Sequence, residues 1–273
     1  MKKLQKLAFV LMTLLIFGTA AGLLAGADAA SEKKIRELSV DHLFKGKNVQ
    51  GTIVLKNLKT NKMYAYNLKR SKKRFTPEST FKVPHALIGL EEKAVEDEYD
   101  VKRWDGTVRE IDEWNKDHTL GSGMRHSVIW YYQAMARDIG KKKMQYHLNQ
   151  MKYGNQDISG EIDEFWLDSS LQISAQEQIA FMEKLVKEQL PFHKQTMKTV
   201  KRIMIEDEQD HYTIHGKTGT RLSDLGLGWY IGFVETKKDT WVFAANVDSS
   251  GSTAKTITLE CLDKLRIIKH RTK

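Results

Sequence analysis

The chain of 273 residues has a single cysteine, Cys261, so no internal disulfide can form and the fold must rely on its core. Cys261 sits in a helical pattern near the C-terminus and reads as a small buried apolar residue. Metal-ligand spacing is also missing. The nine histidines are scattered, and no His-x-x-x-His pair comes with a supporting acid. There is no internal repeat and no low-complexity run, and with 41% apolar residues the mature part is not a disordered chain. No arginine–aromatic platform occurs among the lysines, so nucleic acid is not an expected partner. Prolines number three, Pro77, Pro84 and Pro191, and each marks a helix start, a tightened turn or a helix end.

Charge is absent from Leu7 to Ala27, in "LAFVLMTLLIFGTAAGLLAGA". A basic "MKKLQK" precedes this run and the small residues of "ADAA" follow it. That order predicts an export signal over residues 1–30, cleaved near Ala29 or Ala30. The run of 21 uncharged residues also approaches the length of a membrane span. Lys2, Lys3 and Lys6 hold the start inside and direct the rest outward, to an extracellular or cell-surface location. Removing these three lysines and Asp28 from the total of +9 leaves a formal charge of about +7. A basic exported domain meets anionic cell-wall polymers and lipid head groups, and electrostatic association with them is expected. Nothing in the sequence speaks to its oligomeric state.

Beyond the leader, residues 31–273 read as one catalytic domain of the α+β class. "GTIVLKNLKTNKMYAYNLKR" predicts a hairpin, with strands around Ile53–Leu55 and Met63–Tyr66 and a turn at "KTNK". From about residue 79 to 205 the periodicity is mostly helical. "VIWYYQAMARDIG" is closed by Gly140, and "SAQEQIAFMEKLVKEQL" opens on Ser174 with Glu177 three residues on, a capping box. "HYTIHGKTGT", "LGWYIGFVET" and "WVFAANVD" then predict strands, and "TAKTITLECLDKLRIIKH" a closing helix. Strands at both chain ends and helices between them imply one antiparallel sheet with an inserted helical region, and a site at the seam.

Ser-x-x-Lys occurs three times, from Ser31, Ser79 and Ser252. Only "STFK", Ser79 to Lys82, has suitable surroundings. Thr76 and Pro77 mark a helix start, where free backbone N–H groups can stabilise an oxyanion. Pro84 tightens or kinks the turn that follows. A serine and a lysine three apart share a helix face, so an amine lies beside a hydroxyl that it could deprotonate. "KTG", Lys217 to Gly219, ends a strand 138 residues after Ser79. There Lys217 supplies positive charge, Gly219 permits close approach, and the strand edge can pair with an extended substrate.

Five motifs stand in order: "STFK", "SVI" from Ser127 to Ile129, "YGN" from Tyr153 to Asn155, "FWL" around Trp166, and "KTG". In this the chain resembles the class D, oxacillinase-type serine β-lactamases, and within them the branch from Gram-positive bacilli. The resemblance covers nearly all of the mature chain, including "PESTFKVPHALIGLE" and "GWYIGFVE". It implies the β-lactamase/penicillin-binding fold and hydrolysis of penicillins through an acyl ester on Ser79. It implies further that Lys82 is carboxylated by carbon dioxide or bicarbonate and acts as general base, with no other cofactor and no metal. Ser127 would relay a proton to the lactam nitrogen, and Trp166 would donate its indole N–H to the carbamate. Lys217, counted among the catalytic residues, would line the substrate with Thr218 and Gly219, and Thr220, Ile129 and Tyr153 would also bind it. The backbone N–H groups of Ser79 and Thr220 would form the oxyanion hole.

One step of this has independent chemical support. Only a neutral amine attacks carbon dioxide, and a lysine of ordinary pKa, about 10.4, is neutral less than about 0.1% of the time at pH 7. Burial against Phe81, Ile129, Trp166 and Leu167 is expected to lower that pKa. Two features depart from the family pattern. Ile129 stands where valine is usual. In "SSGSTAKTITLE" no arginine follows the last strand to receive a substrate carboxylate, which leaves Lys255 or Arg221 with the Thr218 hydroxyl as substitutes. Two alternatives share the motifs: a covalent β-lactam sensor that keeps its acyl group, and a D,D-peptidase.

Overall fold

The computed structural model describes residues 35–167 and 169–269, and the expected export signal lies outside them. In chain order the elements are β1 (Arg36–Glu37), α1 (Asp41–Lys45), β2 (Gly51–Asn57), β3 (Met63–Tyr66), α2 (Leu68–Ser71) and β4 (Arg74–Phe75). A 3-10 turn at Glu78–Phe81 runs into α3 (Lys82–Glu91). Then come β5 (Val101–Lys102), a second 3-10 turn (Asp112–Trp114), β6 (His118–Thr119), α4 (Leu120–Arg125), α5 (Ile129–Ile139) and α6 (Lys141–Met151). The chain continues through β7 (Ile173–Ser174), α7 (Ala175–Val186), α8 (Lys194–Ile203), β8 (Ile205–Gln209), β9 (Tyr212–Thr220), β10 (Gly228–Thr236), β11 (Thr240–Val247) and α9 (Gly251–Lys264).

The main sheet has the order β1-β3-β2-β11-β10-β9-β8. Every pairing is antiparallel except β1 with β3. Both chain ends contribute to it and α3 to α8 lie between them in sequence, as the α+β expectation has it. The two short ladders β4–β7 and β5–β6 lie outside the main sheet.

The central strands show no polar face because both of their faces are buried. On β10, Trp229, Ile231 and Phe233 join the core shared with α3, α5 and α7, while Tyr230 and Val234 join the core under α1 and α9. On β11, Val242 and Ala244 face the first core and Phe243, Ala245 and Val247 the second. This is the two-residue alternation of a strand, with apolar residues at both phases.

Local signals set several boundaries. Ser174 accepts the Glu177 N–H, and the Glu177 carboxylate accepts the Ser174 N–H at 2.9 Å, closing the expected capping box on α7. Gly140, at φ +77°, ends α5 in a conformation that a side chain would resist.

Two expectations are corrected. The closing helix stops at Lys264, because Arg266 adopts the left-handed region and the Ile267 N–H bonds back to the Leu262 carbonyl at 2.9 Å. Ile268 then folds back into the core under α9. β8 is an additional strand where none was expected. After Ile205 its sequence "IEDEQ" is acidic and polar with no strand former, and its side chains are largely exposed, so the backbone ladder with β9 defines it. Among the described residues, no helix is long and apolar enough to cross a membrane.

Candidate active site

Ser79 and Lys82 meet because the chain around them is a 3-10 turn. Three residues per turn bring positions i and i+3 into line, closer than an α-helix would. The Lys82 Nζ donates to Ser79 Oγ at 2.9 Å. Pro77 precedes the turn, and its carbonyl accepts the Thr80 N–H and the Thr80 hydroxyl. Glu78 sits at φ +52°, a left-handed conformation that costs an L-residue about 1–2 kcal/mol. Its N–H donates to the Trp166 carbonyl at 3.0 Å, which ties the turn to the "FWL" segment. The Trp229 indole on β10 donates to the Thr76 carbonyl at 2.9 Å and fixes the approach to the turn. Pro84 falls in the first turn of α3, where a missing N–H costs little.

Ser79 is 8% exposed and Lys82 only 1%. Burial pushes the Lys82 amine well below the usual lysine range, the Lys217 charge pushes the same way, and Glu78 opposes both. A shift in that direction enlarges the neutral fraction of the amine. The apolar bed differs in detail from the expectation. Phe81 stacks on Trp166 at 5.5 Å between centroids, and Lys82 Nζ lies 5.3 Å from the centroid of Tyr132. His85, one turn beyond Lys82, packs against Phe81, Tyr132 and Trp166. Tyr132 and His85 went unnoticed in the sequence. The available signals were the i+3 spacing from Lys82 to His85 and the position of Tyr132 one turn into the helix after Ser127. Val128, not Ile129, is the fully buried residue of the "SVI" motif; Ile129 opens α5 half-buried.

The second pair is Ser127 with Lys217. Val128 caps α5, and Ser127 stands outside the helix at φ +56°, another strained position. Lys217 Nζ donates to Ser127 Oγ at 3.0 Å and to the Thr218 carbonyl at 2.8 Å. Lys217 is 3% exposed, and burial lowers its pKa to about 8, with Glu206 opposing and Lys255 adding to the shift.

β9 presents an open edge beside the Ser79 turn. The Gly216 N–H points away from β10, to the Met204 carbonyl, and the Arg221 N–H points towards β10, to Leu227. By strand alternation Thr218 and Thr220 turn their backbone groups to the same side as Gly216, beyond the start of β8. A methyl on Gly219 would sit 3.2 Å from the Ser79 backbone nitrogen, so this edge runs directly past Ser79. The Thr220 hydroxyl faces the other way and accepts the Gly251 N–H at the start of α9, at 2.8 Å.

The remaining sequence candidates are placed as follows. Tyr153 is buried behind Phe81, edge-on to it, with its hydroxyl 3.4 Å from Gln178. Asn155 holds its loop by bonds to Ser170, Asp157 and Gln172. Arg221 makes two bonds to the Asp224 carboxylate, at 2.7 and 2.8 Å. Lys255 pairs with Glu206 at 2.8 Å and lies over the Tyr230 ring. Both cations that could replace the missing arginine are thus already paired with acids. Among the described residues, no group of three His, Cys, Asp or Glu side chains could hold a metal ion.

Residues 51–263 match the penicillin binding protein transpeptidase domain. The chain is similar to a probable β-lactamase, YbxI, of Bacillus subtilis, at 54% identity over 97% of this chain and 99% of that one. It is 41% identical to the β-lactamase OXA-48 of Klebsiella pneumoniae, over 80% of this chain and 84% of the other. Among solved structures, the class D β-lactamase BAT-2 superposes with a TM-score of 0.83 at 59% identity, covering 85% of this chain and 98% of its own. A class D β-lactamase from Bacillus subtilis superposes equally well, with a TM-score of 0.83 at 57% identity and the same coverages. On its sequence and its fold alike, the chain belongs to the class D β-lactamases, serine hydrolases that open the β-lactam ring on the transpeptidase framework.

Proposed function

We propose that this protein hydrolyses penicillins through an acyl ester on Ser79, with carboxylated Lys82 as the general base. The observation that carries the proposal is a fully buried lysine amine, held below its usual pKa, 2.9 Å from a hydroxyl at the rim of the site. Carboxylation needs such an amine. The nitrogen lone pair forms the bond to carbon, one C=O pair moves onto oxygen, and one N–H proton leaves to solvent. The resulting carbamate supplies a proton acceptor for attack by Ser79 and later by water.

Ser79 Oγ gives up its proton as it bonds to the lactam carbonyl carbon. The backbone N–H groups of Ser79 and Thr220 hold the oxyanion that forms. Ser127 hands its proton to the departing lactam nitrogen, and the ammonium of Lys217, bonded to Ser127 Oγ, favours that transfer and restores it. Thr218 and Gly219 line the bound substrate along the β9 edge, Ile129 lies at the rim, and Trp166 closes the site around Lys82. Export through the N-terminal segment would bring the enzyme to the antibiotic outside the cell, and its positive charge would keep it near the anionic surface.

Nitrocefin turnover with intact mass after penicillin exposure tests the proposal. Turnover with no lasting adduct is expected. A stable adduct on Ser79 would indicate a covalent β-lactam binder, and preferred cleavage of D-Ala-D-Ala a peptidase. Degassing at mildly acid pH should remove activity, and bicarbonate should return it. An enzyme indifferent to bicarbonate has no carbamate base.

A further inference from the structure

The wall around Lys82 contains polar groups that the reaction as described does not use. His85 and Tyr132 are each 0% exposed. Among the described residues, neither ring nitrogen of His85 and not the Tyr132 hydroxyl has a hydrogen-bond partner. The two rings pack together at 5.4 Å between centroids, and His85 meets Trp166 at 5.2 Å. Lys82 is the buried charged group they adjoin: its Nζ is 5.3 Å from the Tyr132 centroid, and His85 follows it by three residues on α3. Burial, with Lys82 adding, drops His85 to about 3, so its imidazole stays neutral and keeps one N–H donor.

An unmet buried donor costs about 1–3 kcal/mol. An ammonium has no acceptor and a neutral amine a single lone pair, so neither can meet both the His85 N–H and the Tyr132 O–H, whereas a carbamate brings two anionic oxygens that accept. A carbamate adds about 2.3 Å of reach beyond Nζ, which stands 5.3 Å from the Tyr132 ring centroid. We propose that His85 and Tyr132 are positioning residues that form the donor side of a carbamate pocket around Lys82 and set the affinity of the protein for carbon dioxide. The inference rests on the carboxylation reading above. In it, burial lets the amine react, and these two donors hold the product.

The test compares wild type with Tyr132→Phe, His85→Leu and His85→Gln, the last of which retains an N–H donor. Carbamate is read by 13C NMR with labelled bicarbonate, activation by bicarbonate titration of nitrocefin turnover, and folding by thermal melting. Tyr132→Phe and His85→Leu are expected to raise half-saturating bicarbonate about tenfold and to weaken the carbamate signal, with partial recovery in His85→Gln. Bicarbonate should also raise the Tm of wild type more than that of Tyr132→Phe, since it binds the folded form. Folded variants with the wild-type bicarbonate titration overturn the inference while leaving carboxylation standing. A wild type that gives no carbamate signal overturns carboxylation itself, and this inference with it.

Discussion

Gly219 is the position where one methyl group should separate activity from stability. Its Cβ would lie 3.1 Å from the Pro77 carbonyl oxygen, 3.2 Å from the Ser79 backbone nitrogen and 3.2 Å from Thr80 Cγ2. Two of these atoms are backbone in the turn that carries Ser79. The turn is tied through Glu78 to Trp166, so it cannot swing aside as a side chain would. Either β9 or the turn must give by a few tenths of an ångström. In Gly219→Ala, the lower backbone entropy of the unfolded chain contributes about 0.5–1 kcal/mol of stability. Overpacking costs about 1–3 kcal/mol. The net loss should stay within about 2.5 kcal/mol, a Tm drop of at most about 10 °C for a domain of this size. Catalysis is less forgiving, since a 1 Å misplacement can cost about 100-fold. A shift of a few tenths of an ångström should lower kcat for nitrocefin about tenfold, or about 1.4 kcal/mol of transition-state stabilisation, with KM little changed. Gly121→Ala is the control. The nearest atom there is the Glu98 carbonyl oxygen at 3.4 Å, and both activity and Tm should hold. A Gly219→Ala enzyme within twofold of wild type would refute the placement of the β9 edge as a constraint on Ser79.

Lys217 should leave a signature in stability against pH. Its folded pKa of about 8 lies below its unfolded value, so the unfolded chain binds the extra proton between about pH 8 and 10.5 and stability from this group rises with pH in that window. The destabilisation is fully present below pH 8 and amounts to about 3 kcal/mol. The difference in unfolding free energy between wild type and Lys217→Met should therefore shift towards wild type as pH rises from 8 to 10, and a constant difference would refute the buried cation. Burial pushes the Cys261 thiol up to about 12, so a thiol reagent should be slow on the native protein and fast in denaturant. Rapid native labelling would contradict the packing of α9.

Much of the architecture could be read locally. The Ser174–Glu177 box, the β2–β3 hairpin and the strands β9 to β11 depend on neighbours in sequence, so residue type and period announce them. Ser79 and Lys82 were legible for the same reason, being one turn apart. β8 was not, because an exposed acidic edge strand exists only through its partner. Nor was the conformation of Ser127, whose left-handed backbone is over-determined by surrounding packing. The arginine substitutes illustrate the limit differently. The sequence offered Lys255 and Arg221 as free cations, and only the fold reveals Glu206 and Asp224 at their side chains.

By itself, then, the sequence determined which groups can react, their order along the chain and the family to which they belong, since these follow from residue identity and short-range spacing. Tertiary structure alone decided how they are tuned. Desolvation of Lys82, the contact of Lys217 with Ser127 across 90 residues, and the unmet donors of His85 and Tyr132 arise where distant segments exclude water together. Burial and charge proximity are properties of that assembly, and no local window of sequence contains them.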